Sequence, residues 1–198
     1  MSVGQEVPAP DHLAYGYRPS LLGAPWDFRL GEHGIDWTVG AKSGHLPYVR
    51  VRRVRMSFRP GNMQLYRFVI EVWGEGAPRL VLASTSWKSM VEQERLDRRY
   101  AAFVAELHRH LAQAAPPARY EQGTHALRYW PGLAVFVAVS LGLAALTARA
   151  LQAHAVGGTV LIAAFLALFL WQGGDYFRRN RPRLYRPDRL ASELMPKV

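Results

Sequence analysis

The chain of 198 residues contains no cysteine. That excludes disulfides, thiolate-held metals, iron–sulfur clusters and cysteine nucleophiles together. Acidic side chains are scarce, 15 against 25 basic ones, which leaves a net charge of +10. Residues 1–10 carry neither a basic stretch nor an apolar core and do not read as a secretory signal. No glycine-rich phosphate loop, nucleophile elbow or His-Glu-x-x-His motif occurs. No catalytic residue and no cofactor are therefore assigned, and the chain reads as a non-enzyme. His12, His33, His45, His125 and His154 are scattered, and His108 and His110, two apart on a predicted helix, point about 200° apart. No metal site is expected from them.

Two long apolar runs stand out against this background. The mean hydropathy of −0.09 averages a polar stretch over 1–128 with an almost wholly apolar one over 130–174. Residues 131–148 are 18 positions without a charge. Continued to Leu151, the run reaches about 21, enough at roughly 1.5 Å per residue to cross a hydrocarbon core about 30 Å thick. Residues 155–174 form a second run of about the same length. Only Gln152, Ala153 and His154 separate them, which forces an antiparallel hairpin. Neither run holds Asp, Glu or Lys, so no proton relay or ion path is visible. Ser140 and Thr159 can bond back to their own helix carbonyls.

The flanks predict a direction. Arg119, Arg128, Arg178, Arg179, Arg181 and Arg183 lie outside the pair, against Arg149 and His154 near the turn. Basic residues stay on the cytoplasmic side during insertion, so both termini are expected there. Tyr129 and Trp130 before the first run, with Trp171, Tyr176 and Phe177 closing the second, read as aromatic anchors at one headgroup plane. Pro131 suits a first helical turn. The expectation is a multi-pass protein of the inner (cytoplasmic) membrane, with the lipid bilayer as its first partner. Ala134/Ala138, Ala144/Ala148 and Ala163/Ala167 permit close helix packing, which leaves a homo-oligomer open.

Residues 25–88 read as short strands separated by turns. Trp26, Phe28 and Leu30 alternate with polar residues, 31–34 turns, Ile35, Trp37 and Val39 alternate next, and 41–44 turns again. Residues 48–58 read as a longer strand whose parity slips: Val49 and Val51 are odd, but Val54, Met56 and Phe58 are even. A change of parity needs an extra residue, so a β-bulge or bend is predicted at Arg52–Arg53. Residues 59–62 are a turn, 65–73 a strand, 75–78 a turn and 80–83 a buried strand. Leu96, Tyr100, Phe103, Val104, Leu107 and Leu111 then recur at helical spacing, giving one amphipathic helix of about 18 residues that ends before Pro116. Ser89 with Glu92 suits a capping box ahead of it.

Antiparallel strands bent by a bulge and closed by one C-terminal helix resemble a pleckstrin-homology-like (PH-like) domain. The stretches that carry the likeness are GHLPYVRVRRVRMSFRP over 44–60, the strand after it, LVLASTSW over 80–87 and YAAFVAELHRHL over 100–111. The whole layout is similar to uncharacterised bacterial membrane proteins that carry such a domain beside a transmembrane hairpin. The resemblance implies an α+β fold: a PH-like antiparallel sheet or barrel closed by one amphipathic helix, then a two-helix transmembrane hairpin. It implies a binding or scaffolding module and transfers no ligand residues; phosphoinositide binding does not follow from it. The division is then a flexible lead over 1–24, a PH-like domain over 25–115, a linker over 116–129, the hairpin over 130–177 and an Arg-rich cytoplasmic tail over 178–198.

Arg50, Arg52, Arg53, Arg55 and Arg59 fall within ten residues, and Arg67 faces them across the turn. They read either as a face for anionic lipid headgroups or an acidic partner, or as the solvated side of an amphipathic strand. Nucleic acid is not expected, because the aromatics here alternate into the core and leave no stacking platform. The tail is either a topological anchor or an extended peptide docked on a surface, since Pro182 and Pro187 prevent a continuous helix. Glu92 and Glu94 are read at the N-terminus of the helix, and Glu71 and Glu75 beside a turn. The function expected is a membrane-anchored, non-catalytic binding or scaffold protein. The alternative is an accessory or assembly subunit of a larger membrane enzyme or transporter complex, joined through the hairpin.

Overall fold

The computed structural model describes residues 13–60, 66–88, 93–190 and 192–196. Two compact units emerge: Met1–Gln122 with Leu184–Val198, and Gly123–Arg183. The first is α+β. Strands β1 (Ala14–Tyr17), β2 (Trp26–Leu30), β3 (Gly34–Val39) and β4 (Lys42–Pro47) form an antiparallel sheet in chain order. Strands β5 (Val51–Pro60), β6 (Tyr66–Gly74) and β7 (Leu80–Ala83) form the antiparallel part of a second sheet. A small hairpin, β8 (Thr85–Trp87) with β9 (Gln93–Arg95), precedes helix α1 (Asp97–Ala114). Strand β10 (Arg119–Gln122) then joins β5 in parallel, and β11 (Arg183–Leu184), where the chain returns to this unit, lies beyond β10. No sheet closes into a barrel among the described residues.

The period-2 pattern places the core. On β5, Val54, Met56 and Phe58 turn inward; Ile70, Val72, Leu80 and Leu82 join them from β6 and β7. Helix α1 buries Tyr100, Phe103, Val104, Leu107 and Leu111 along one stripe. It ends where Ala115 takes a left-handed conformation, with φ of 43°, and its N–H returns to the Leu111 carbonyl at 3.0 Å. The parity slip is real: the pairing of β5 with β6 shifts register between Val51 and Arg53. The hydroxyls of Tyr15 and Tyr17 donate to the Ala83 and Val81 carbonyls at 2.5 Å each, tying β1 to β7.

Several boundaries differ from those expected. β1 stands inside the stretch read as a flexible lead, because Tyr15 and Tyr17 alternate into the core at 1% and 4% exposure. The turn expected over 41–44 shrinks, since Gly40 makes it with φ of 60° and β4 begins at Lys42. Tyr48–Arg50 is a 3-10 turn rather than strand. The stretch read as a linker over 116–129 contains β10 and the first turn of a helix. Glu94 lies on β9, not at the start of α1. Gly61, Asn62, Leu65, Ser89 and Glu92 lie outside the described residues.

The second unit is a helical hairpin. Helix α2 (Ala126–Gln152) and helix α3 (Val156–Arg179) are both long and apolar enough to cross a membrane, and none of their apolar length is buried. Pro131 falls inside α2 instead of opening it, because the His125 ring accepts the Leu127 N–H at 3.3 Å and starts the helix earlier. His154 makes the connection with φ of 54°. The helices meet through aromatic rings: Phe136 lies 4.9 Å from Phe169 and 5.1 Å from Phe177. Gly173 is required there, since a Cβ would collide with the Phe136 ring. Ser140 and Thr159 bond back to the Phe136 and Ala155 carbonyls at 2.8 and 3.0 Å, as their positions predict.

Candidate functional site

Among the arginines of the basic strand, β5 places Arg53, Arg55 and Arg59 on the face opposite Val54, Met56 and Phe58, and Arg52 lies at the register shift. The arginines there are answered by carboxylates. Arg55 grips Glu121 of β10 through two nitrogens, with its Nε at 3.0 Å, and Arg53 reaches the same carboxylate at 3.7 Å. Both guanidinium groups also sit 5.6 Å from the centre of the Trp73 ring. Arg52 bonds Glu75 at 2.8 Å. Arg59 and Arg79 each approach the buried Glu71 at 3.6 Å. Glu71 and Glu75, read from sequence as turn residues, therefore serve the arginines.

Arg50 and Arg67 differ from the four paired arginines of β5. Arg50 is exposed on the 3-10 turn and makes no ion pair among the described residues. Arg67 pairs in register with Arg59, as expected across the turn. Its Nε is buried without a hydrogen-bond partner among the described residues, and burial holds its pKa below the usual guanidinium value. The basic strand is thus largely a charge-paired surface, with two arginines left over.

The residues read from sequence as interface anchors all belong to the hairpin unit. The Tyr129 hydroxyl donates to the Phe177 carbonyl at 3.2 Å, so those residues share one end. Trp130 is exposed and meets Tyr129 edge-on. Tyr176 lies 3.5 Å from the Thr124 hydroxyl. Trp171 is exposed but stands five residues before Tyr176, about 8 Å further along the helix. Arg178 and Arg179 pair with Asp175 at 2.8 and 2.9 Å, while Arg181 and Arg183 are exposed.

The segment read as a tail is divided. Arg178 and Arg179 end α3, and the described residues from Leu184 on belong to the first unit. Tyr185 donates its N–H to the Tyr120 carbonyl at 3.0 Å, and its hydroxyl lies 2.8 Å from His108 Nε2. His108 is 1% exposed, and its Nδ1 lies 2.7 Å from the Val104 carbonyl. Nδ1–H must donate to that carbonyl, leaving Nε2 to accept the tyrosine hydroxyl. Burial pushes the His108 pKa down to about 4, so the ring is neutral. His110, two residues on, instead stacks on Tyr48 at 5.1 Å. Further along, Leu194 is wholly buried.

Sequence reasoning also missed an open groove of about 960 Å³ on the first unit. Arg18, Lys88 and Arg99 line it beside Asp27, Asp36 and Trp87. These residues come from β2, β3, α1 and the ends of two other strands, so no local motif announced them. Comparison with protein-family models, curated proteins and solved structures finds no match to the chain.

Proposed function

We propose that the chain is a membrane-anchored, non-catalytic binding or scaffold protein, with a PH-like domain held at the cytoplasmic face of the inner membrane. One observation carries this reading. The hairpin exposes Val135, Leu141, Leu161, Phe165 and Leu168, a surface suited to hydrocarbon and not to water. The excess of arginine at the end bearing the chain's two exits supports cytoplasmic termini. Four antiparallel strands, then three, then one amphipathic helix support the PH-like reading of the soluble unit. The carboxylates on Arg52, Arg53, Arg55 and Arg59 favour structural use of that strand, and burial withdraws Arg67, which leaves Arg50 as the contact open to anionic lipid or an acidic partner.

A second reading, an accessory subunit of a larger membrane complex, is favoured by Ala134, Ala138, Ala144 and Ala148. They lie exposed on α2, where another helix can approach closely. Purification from native membrane in mild detergent tests both readings. A stoichiometric partner that survives exchange of both apolar helices for unrelated ones supports the scaffold. A partner lost on that exchange, with the soluble unit folded, supports the subunit. Recovery of no partner, together with no binding to anionic vesicles, contradicts the scaffold.

A further inference from the structure

The chain's own C-terminal segment points to an interaction surface on the soluble unit. Strand β11 covers the open side of β10 with only two residues. An edge strand left uncovered is a template for another chain. After it, Tyr185 enters a notch made by His108 and Tyr120, with ring centres 5.7 Å from each. The neutral His108 ring accepts its hydroxyl. Arg186, Asp188 and Arg189 are then exposed, and the Arg189 N–H donates to the Arg186 carbonyl at 3.0 Å, so that stretch is a turn closing on itself. A second anchor follows at Leu194, wholly buried, in the short 3-10 turn Ser192–Leu194 that packs against β5.

Two anchors joined by an exposed turn are how an extended peptide sits on a receptor, with strand addition giving affinity and a side-chain pocket giving selectivity. α1 is held differently, through five apolar side chains along its whole length. Segments with few buried contacts open first.

We propose that the β10 edge with the His108–Tyr120 notch is a peptide-docking site for an extended, tyrosine-bearing segment, occupied in this chain by its own residues 184–190, with Leu194 as second anchor, and released to expose that edge. The inference stands whether or not the hairpin spans a membrane.

The test uses the full chain in detergent micelles and a fluorescein-labelled synthetic peptide of residues 183–196. Tyr185→Phe removes only the hydroxyl, so the fold is kept while the internal occupant is weakened. The labelled peptide is expected to bind the Tyr185→Phe chain about fivefold tighter than the wild-type chain. A peptide carrying the same Phe is expected to bind both chains more weakly than the tyrosine peptide. Hydrogen exchange of 184–190 is expected to be faster than that of α1 and to rise further in the variant, with α1 unchanged. Absence of saturable peptide binding to either chain overturns the proposal, as does exchange of 184–190 in step with α1. Equal binding of the tyrosine and phenylalanine peptides overturns the role given to the notch.

Discussion

Helices α1 and α3 both carry large apolar side chains, yet they meet opposite surroundings. α1 buries Tyr100, Phe103, Val104, Leu107, His108 and Leu111 on one side and presents Arg98, Arg99 and Arg109 elsewhere. α3 buries no residue, although Leu161, Phe165 and Leu168 are as apolar as anything in the core. Water accounts for the first pattern, since an amphipathic stripe seals against a sheet. It does not account for the second, whose apolar surface continues around the helix. One chain thus carries helices with opposite burial, and substitutions should separate them.

The largest effect is expected at Phe103, 1% exposed and 5.5 Å from the Tyr15 ring. Phe103→Ala should cost the soluble unit about 4 kcal/mol. Denaturant unfolding followed by tryptophan fluorescence measures it, and the helical signal of the hairpin should persist past that transition. A single joint transition would erase the distinction between the two units.

Leu161 on α3 gives the converse. Leu161→Arg should raise the cost of membrane insertion by about 3 kcal/mol, whereas on a water-facing helix it would be nearly neutral. A glycosylation-reporter insertion assay reads the difference. Unchanged insertion would mean that α3 does not face lipid.

The buried His108 predicts a pH dependence of similar size. Its folded pKa of about 4 lies below the ordinary 6.5, so the unfolded chain takes up the proton first. The stability it contributes is complete above pH 6.5 and is lost as pH falls toward 4, by about 3 kcal/mol in all. Urea midpoints measured between pH 7 and pH 4 should fall along that window, and His108→Gln should flatten the slope.

The smallest effect concerns the paired arginines. Glu121→Gln leaves Arg53 and Arg55 without their carboxylate and should cost about 1 kcal/mol in stability. It should also increase flotation with vesicles rich in anionic lipid. No gain in flotation would mark that face as structural even when its charge is released.

What was legible in the sequence follows from how many residues carry each signal. The hairpin is written in two runs of about twenty residues, far beyond chance. The bulge at Arg52 was legible because Val51 and Val54 cannot share one face of an unbroken strand. β1 and β10 were not legible, because each is four residues long with little apolar content beyond tyrosine. Pro131 misled, since proline marks a first helical turn more often than a sixth position. The partners of the basic strand were hidden for another reason. Glu121 is 66 residues from Arg55, and only the parallel pairing of β10 with β5 brings them together. Tyr185 gave no signal at all: one tyrosine among arginines and prolines says nothing of the histidine 77 residues earlier that receives it.

The most direct measurement uses the absence of native cysteine. Three single variants, Leu22→Cys, His154→Cys and Asp188→Cys, each place one thiol at an exposed position. Intact spheroplasts are treated with a membrane-impermeant maleimide before and after permeabilisation. A hairpin that crosses the inner membrane twice with both termini in the cytoplasm predicts labelling of the His154→Cys variant from outside, and of the other two only after permeabilisation. Labelling of the Leu22→Cys or Asp188→Cys variant from outside, or release of the unlabelled protein by alkaline carbonate, would contradict it.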